Sequence, residues 1–241
     1  MKYILALIGS PNKQKSNTRT MTLDFLEMVK SYSSGITSEI IMLGEQNLHC
    51  CQGCWGCTRT GVCVIQDDLQ EIQRKMLSAD CLIIGSPVYV HHISAQTKIL
   101  FDRIYVWLHI VKLIGKPAIT ALTTAKTGLH RAEKYLDDMM TCTGTIMLGH
   151  LRGFADTPGH FPQREHCREH HKKLAKTTAA ILDGTKALKP TLKNTWYFYG
   201  MKQKAKYAKD ILSFEHSYWK EKGWFQLSYA QALAQELASH L

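Results

Sequence analysis

The chain has 241 residues, a formal net charge of +10, 45% hydrophobic residues and 21% charged ones. That length suits one large domain or a domain with an appendage, and it buries a core without needing disulfides. The composition excludes a disordered or collagenous chain, no apolar stretch reaches the length a bilayer requires, and the positive charge favours anionic partners such as phosphate groups or acidic proteins.

The opening MKYILALIGS has a short apolar run, Tyr3 to Ile8, too short for a secretory leader, and 3–9 reads as a buried strand that stops at Gly-Ser-Pro. This points to the cytoplasm, where thiols stay reduced. Residues 17–31 place Met21, Leu23, Phe25, Leu26, Met28 and Val29 close to helical spacing, with Ser16 or Asn17 to cap the start. Residues 38–43 read as a strand. A helix follows over 67–79, opened by Asp67 or Asp68. The stretch 80–90 begins as a wholly apolar strand that stops at a second Gly-Ser-Pro. Then come a helix over 94–108, a strand over 116–125, a helix over 129–143, a strand over 144–151 and a helix over 163–183. Residues 194–225 are dense in lysine and aromatics, and 228–241 reads as an amphipathic helix.

Strands that are apolar along their length and alternate with helices call for a parallel sheet covered on both faces. The expected fold is therefore α/β: a flavodoxin-like, doubly wound, five-stranded parallel sheet in the order 2-1-3-4-5 with a helical C-terminal extension. Residues 1–185 make the doubly wound domain, 50–63 a cysteine-rich insertion within it, and 186–241 the extension.

In that order the ligand crevice lies beyond the carboxyl ends of the first and third strands. The first strand leads into GSPNKQKSNTRT. Ser10, Ser16, Asn17 and Thr18 there offer hydroxyls and backbone N–H groups at a helix start, which suits one phosphate and also suits an ordinary polar loop. The loop matches neither G-x-G-x-x-G nor G-x-x-x-x-G-K-[ST], which disfavours a dinucleotide fold or a Walker NTPase. The third strand ends in GSPVYVHH, where Tyr89 can lie against a flat ring or simply pack, and His91 and His92 follow. After the fourth strand, TTAKTG (123–128) adds Thr124, Ala125 and Gly128. Three loops converge on a site that fits a flat phosphorylated cofactor such as FMN.

Five of the eight cysteines fall within CCQGCWGC (50–57) and Cys63. Cys51, Cys54, Cys57 and Cys63 make C-x2-C-x2-C-x5-C, and Cys50 is not needed in that count. Compact spacing lets one loop wrap an iron–sulfur cluster. Zinc usually takes two C-x2-C knuckles across a longer gap. Free or redox-cycling thiols are the third reading, and a disulfide staple ill suits a reducing compartment. In REHCREHHKK (164–173), His166 and His170 lie one helical turn apart, as a metal pair or as a solvated face. WYFY (196–199) amid lysines suits burial against a partner subunit, or a lipid surface.

GSP…SNT, the compact cysteine motif followed by DD, and GSPVY…SAQTKILFDR together resemble the NADPH-dependent FMN reductase-like branch of the flavodoxin superfamily over residues 3–151. Within it they resemble the iron–sulfur flavoproteins. The resemblance implies non-covalently bound FMN, with its phosphate at Ser10, Ser16, Asn17 and Thr18 and its ring beside Pro87, Val88, Tyr89 and Val90. Where many relatives have an arginine two positions after the Gly-Ser serine, this chain has Asn12, leaving Lys13 or Lys15 to supply charge. Ser94, Lys98, Asp102 and Arg103 also match, and they read as helix-packing and salt-bridge residues. The resemblance further implies a 4Fe–4S cluster in the cysteine loop, NAD(P)H or a ferredoxin-like electron donor, a quinone, flavin or other small acceptor, and a homodimer or homotetramer. No side chain is required as acid or base, because the flavin carries the chemistry. Two other functions suit the same residues: a protein-to-protein electron carrier and a zinc-stapled non-redox binding protein. No motif points to nucleic acid.

Overall fold

The computed structural model describes residues 1–207 and 209–238. Its strands are β1 (Lys2–Ile8), β2 (Ile36–Met42), β3 (Cys81–Tyr89), the two-residue β4 (His92–Ile93), β5 (Pro117–Thr124) and β6 (Ile146–Phe154). They form one sheet in the order β2-β1-β3-β5-β6, with β4 pairing on β3. The long strands all run parallel, as expected of the doubly wound order, and only the β3–β4 pair is antiparallel.

Side chains alternate across a strand, so each central strand feeds two cores. Leu5, Leu7, Leu82, Ile84, Ala118 and Leu122 face one layer of helices: α3 (Leu69–Ser78), α4 (Ala95–Arg103), α5 (Tyr105–His109) and α6 (Leu129–Cys142). Ile4, Ala6, Ile8, Cys81, Ile83, Ile119 and Ala121 face the other, made by α1 (Asn17–Tyr32) and α7 (Arg164–Leu182). Buried Asp24 of α1 accepts hydrogen bonds from Arg164 and Arg168 of α7, which locks those two helices together. The cysteine insertion contributes one short helix, α2 (Gly56–Thr60).

Four elements depart from the sequence expectation. The helix expected over 94–108 breaks at Ile104, whose ψ of 21° ends α4 before α5 begins. The strand expected over 144–151 starts later and runs on to Phe154. Gly144, at φ +97°, lies against the backbone of Ile114 in a turn that occupies 143–145. Residues 87–90, expected as loop, are mostly strand: β3 continues to Tyr89, and Val90 and His91 alone make the turn into β4. Finally, α3 begins at Leu69, and Asp67 serves chiefly as an ion-pair partner rather than a cap.

The C-terminal segment folds as α8 (Leu192–Tyr207), α9 (Ser213–Glu221) and α10 (Tyr229–Ala238). Residues 239–241 of the closing helix expected from the sequence lie outside the described residues. Phe198, Trp219, Trp224 and Tyr229 make a third core with Ile110, Val111 and Ile114, which follow α5. The Trp219 indole donates to the carbonyl of His109 at 3.1 Å. At Gly61 an added Cβ would lie 2.3 Å from the Phe214 ring, so α9 closes directly over the cysteine loop. Of WYFY, Phe198 is buried within the chain, while Trp196 and Tyr199 remain exposed.

Candidate functional site

β1 and β3 are neighbours, and the helices that follow them, α1 and α4, lie on opposite faces of the sheet. The gap between their carboxyl ends is the topological switch point where open α/β sheets bind ligands. The Gly-Ser-Pro that follows β1 and the one within β3 are tied together there. Gly9 N–H donates to Gly85 carbonyl at 2.8 Å, Ser94 Oγ donates to Gly9 carbonyl, and Ser86 Oγ accepts from Ser94 N–H at 2.8 Å. A Cβ on Gly9 would fall 1.9 Å from Thr97 Oγ1, so only glycine lets the first loop approach α4 this closely. Ser94 caps α4 by accepting from Thr97 N–H. This buried hydroxyl network rests on Ser86, Ser94 and Thr97; the duplicated Gly-Ser-Pro was its signal in the sequence.

Ser10 and Ser16 are buried at the first loop. Ser16 caps α1 by accepting from Arg19 N–H at 3.2 Å, and the first turn of α1 contains no acid. Its early N–H groups lack intrahelical acceptors and the helix dipole favours an anion there. The side chains of Asn17 and Thr18 serve the scaffold instead. Asn17 donates to the carbonyls of Thr157 and His160, and the Thr18 hydroxyl meets that of Thr123 on β5 at 2.6 Å. Only their backbone N–H groups face the task expected of them. Asn12 Nδ2 donates to the Tyr89 hydroxyl at 3.2 Å, which bridges the first and third loops directly.

On the other side, Pro87 is buried, Val88 half-buried, and Tyr89 and Val90 exposed. Val90 and His91 both have positive φ, +48° and +64°, as a two-residue hairpin of this type demands. Such a backbone is costly for a β-branched residue and is held here by the Tyr89–His92 and Val88–Ile93 pairs. Gly128 has φ +87°, and a Cβ there would lie 2.6 Å from His91 Cα. The loop after β5 therefore presses against the hairpin. Thr124 Oγ1 donates to Thr127 carbonyl within that loop, and Ala125 is exposed beside it. Val90, His91, Gly128, His130 and Arg131 line a cleft of about 460 Å³. His130 and Arg131, on the first turn of α6, escaped the sequence reading because no motif contains them.

The cysteine loop is held from below. Arg103, fully buried, donates to both oxygens of buried Asp67 at 2.7 and 3.0 Å, to the carbonyls of His49 and Ile65, and to Cys63 Sγ at 3.2 Å. Burial pushes the Asp67 carboxyl up, but Arg103 and the N–H groups of His49 and Leu69 outweigh it and hold it well below the ordinary range. Lys98 and Asp102 make an ion pair one turn apart on α4. Cys51 and Cys54 are exposed, Cys57 and Cys63 half-buried, and all eight cysteines are free thiols. Burial raises the Cys57 thiol, and Cys63, Cys51 and Cys54 raise it further, so the four motif cysteines lie close enough to feel one another. As a donor set, four soft thiols on one loop fit an iron–sulfur cluster. They are gathered but not arranged as a cage: among the described residues no three His, Cys, Asp or Glu side chains stand ready to hold a metal ion.

On α7 the His166 and His170 ring centroids lie 4.2 Å apart, tilted at 50°, on the exposed face, while Cys167 and His171 are buried. His171 Nε2 accepts from Arg152 N–H at 3.1 Å, and burial, with neighbouring His170, holds its pKa down at about 4 from an ordinary 6.5. Above pH 6.5 both folded and unfolded chains carry it neutral. Between 6.5 and 4 only the unfolded chain takes the proton, so stability falls as pH falls through that window, by on the order of 3 kcal/mol. His171→Gln keeps an acceptor without a proton. Urea unfolding at pH 7 and pH 4 is expected to show wild type losing that much more than the variant; parallel losses would refute the assignment.

Residues 2–158 match the family model described as NADPH-dependent FMN reductase. An iron-sulfur flavoprotein of Archaeoglobus fulgidus is 24% identical over 220 residues, covering 91% of this chain and 98% of that protein. An iron-sulfur flavoprotein of Methanocaldococcus jannaschii is 40% identical over 100 residues, 42% of this chain, and the match spans 50% of that relative's length. Among solved structures, an FMN-dependent NADH-azoreductase from Bacillus anthracis in complex with FMN superposes with a TM-score of 0.53 at 16% identity, over 76% of this chain and 99% of that one. The apo form of an NADH:FMN oxidoreductase gives 0.55 at 17%, over 74% and 90%. At such identities the two structures bear on the fold alone.

Proposed function

The chain belongs to the NADPH-dependent FMN reductase family and is an FMN-dependent oxidoreductase, and from that premise we propose that it uses NAD(P)H to reduce a quinone, flavin or other small acceptor. The observation that carries this reading is the Asn12–Tyr89 hydrogen bond, which joins the phosphate-side and ring-side loops across the switch point. Bound FMN would supply hydride and single-electron chemistry. Ser10, Ser16 and the N–H groups of Asn17 and Thr18 would hold its phosphate, with Lys13 and Lys15 nearby in place of the relatives' arginine. Pro87, Val88, Tyr89 and Val90 would flank one edge of the ring and Thr124, Ala125 and Gly128 the other. The protein's share is to bind, orient and shield, and no acid or base is assigned.

Cys51, Cys54, Cys57 and Cys63 would hold a 4Fe–4S cluster, with the Arg103 guanidinium donating to Cys63. The relatives named iron-sulfur flavoproteins support this assignment. Free thiols throughout suit a reducing compartment such as the cytoplasm. A homodimer or homotetramer, through the exposed Trp196 and Tyr199, and a ferredoxin-like donor in place of NAD(P)H belong to the same reading.

Ser16→Asp tests the phosphate cradle. Aspartate caps a helix as well as serine does, so the fold is expected to hold, while its charge repels the phosphate. FMN affinity, read by flavin fluorescence, should fall at least about tenfold while riboflavin affinity does not. Equal loss for both flavins would remove the phosphate from this loop. Anaerobic mixing with NADPH should bleach the flavin. Failure to bleach, with reduction by ferredoxin, would make the protein a carrier rather than a reductase. Iron and acid-labile sulfide after anaerobic purification support the cluster; zinc, or neither metal, overturns it.

A further inference from the structure

The switch point lies at the carboxyl ends of the strands. At their amino ends a cavity of about 780 Å³ opens between the sheet and the C-terminal helices, a size typical of small-molecule sites. Aliphatic side chains make most of its wall: Leu77 in the last turn of α3, Ile181 and Leu182 in that of α7, Leu113 and Ile114 ahead of β5, and Leu237 of α10. A Cβ on Gly115 would lie 2.5 Å from Leu233, so α10 seats directly against the turn before β5 and closes that side. The charged lining residues are Lys2, Asp80, Lys112, Lys116 and Glu236. Asp80 accepts from Lys2 Nζ at 3.0 Å and from Tyr3 N–H at 2.8 Å. Lys116 donates to the carbonyls of Leu77 and Ala79, and Glu236 accepts from Lys222 Nζ at 2.7 Å.

Lys112 has no such acceptor. Among the described residues its ammonium makes no hydrogen bond or ion pair and stands over the Tyr218 ring, 5.1 Å from the centroid. A surface lysine needs no partner, because water solvates it, but Lys112 is half-buried. Lys75, Lys98, Lys116, Lys202, Lys204 and Lys222 are half-buried too, and each has a hydrogen-bonded partner. Arg19, the remaining half-buried cation without one among the described residues, shares a cleft with Glu39, Glu45, Asp68 and Glu71. Both carboxylates of the Lys112 cavity, by contrast, are held by other lysines. Burial, together with Lys222, pulls the Lys112 pKa below the ordinary lysine value, and Glu236 offsets that only in part. A buried charge is costly unless paired. An anion that reaches Lys112 therefore gains a charge-assisted hydrogen bond, while an attached apolar chain leaves water against the leucines and isoleucines. We propose that this cavity is a second ligand site, for a carboxylate on an unbranched alkyl chain, with its head on Lys112 and its chain along the aliphatic wall.

The test uses the full chain with saturating FMN and reads binding by titration calorimetry. Decanoate is expected to bind at least about tenfold more tightly than butanoate, because the longer chain buries more apolar surface. Lys112→Met, close in length and uncharged, should weaken decanoate about tenfold, and Lys112→Arg should keep it. Lys176→Met removes an exposed cation of α7 outside the cavity and should change nothing. Equal affinity for the two chain lengths, equal binding of decylammonium, or an equal loss in Lys176→Met overturns the inference, and none of these depends on a Lys112 variant that folds. Decanoate that binds only when FMN is left out also overturns it, since the ligand then sits at the switch point. A chain ending at Ala238 should bind as the full chain does. Uptake by the shortened chain alone would mean that residues 239–241 fill the cavity, and the inference would fall.

Discussion

Arg103→Ala is expected to lower the unfolding free energy by about 3–5 kcal/mol and the melting temperature by roughly 10 °C. The guanidinium and the Asp67 carboxylate are both fully buried. Truncation leaves that carboxylate with the N–H groups of His49 and Leu69 and the His49 ring at 3.3 Å as its remaining partners. It also orphans the His49 carbonyl, leaves the Ile65 carbonyl to Gln70 alone, and removes the donor to Cys63. The Asp67 contribution is complete above its ordinary pKa of 3.8 and fades only as pH falls toward its depressed folded value, so the penalty is measurable at neutral pH. The loop that spans the cysteines loses its anchor in the same step, and alkylation of Cys57 and Cys63 should accelerate. Removing both partners, as Asp67→Leu with Arg103→Met, should recover part of the stability, because no charge is left stranded. A melting temperature within about 2 °C of wild type for Arg103→Ala would mean that water reaches the pair.

Trp219→Ala carries the second large effect, about 3–5 kcal/mol. Its side chain is fully buried, with Phe198 and Trp224 at ring-centroid distances of 5.0 and 5.4 Å. Its indole N–H satisfies the His109 carbonyl, so the variant loses packing and leaves a buried acceptor unmet. Because Ile110, Val111 and Ile114 share this core, the tail should unfold together with the sheet in wild type, in one calorimetric transition. The variant should expose the tail to proteolysis first. Two separate transitions in the wild-type protein would show that the helices beyond residue 186 fold on their own.

These two predictions mark where sequence reasoning stops. β1 was legible because Ile4 to Ile8 are apolar without interruption, which only burial on both faces explains. Ser16 was legible as a cap, and Cys51, Cys54, Cys57 and Cys63 as a set, because both signals are local. The Asp67–Arg103 pair was not: the partners stand far apart in sequence, and each has a respectable local role, Asp67 at a helix start and Arg103 at a helix end. The Val90–His91 turn was hidden because neither residue is the glycine or asparagine that positive φ prefers, so the chain read as a loop where it is a hairpin. The break at Ile104 left no proline or glycine to announce it. At the site, the three loops were found by position alone, but the Asn12–Tyr89 bridge, and the diversion of the Asn17 and Thr18 side chains to scaffold contacts, needed coordinates.

Phe214 sealing Gly61 also fixes an order of events during synthesis. A ribosome releases the thiol segment long before it reaches α9, and at ordinary elongation rates the interval is about ten to thirty seconds. Once Arg103 and the later strands have followed it, the segment has its sheet and its Arg103 support but still no cover. Any delivery of iron and sulfide by an assembly protein therefore has an open window while the nascent polypeptide is still tethered, and that window closes when the last helices dock.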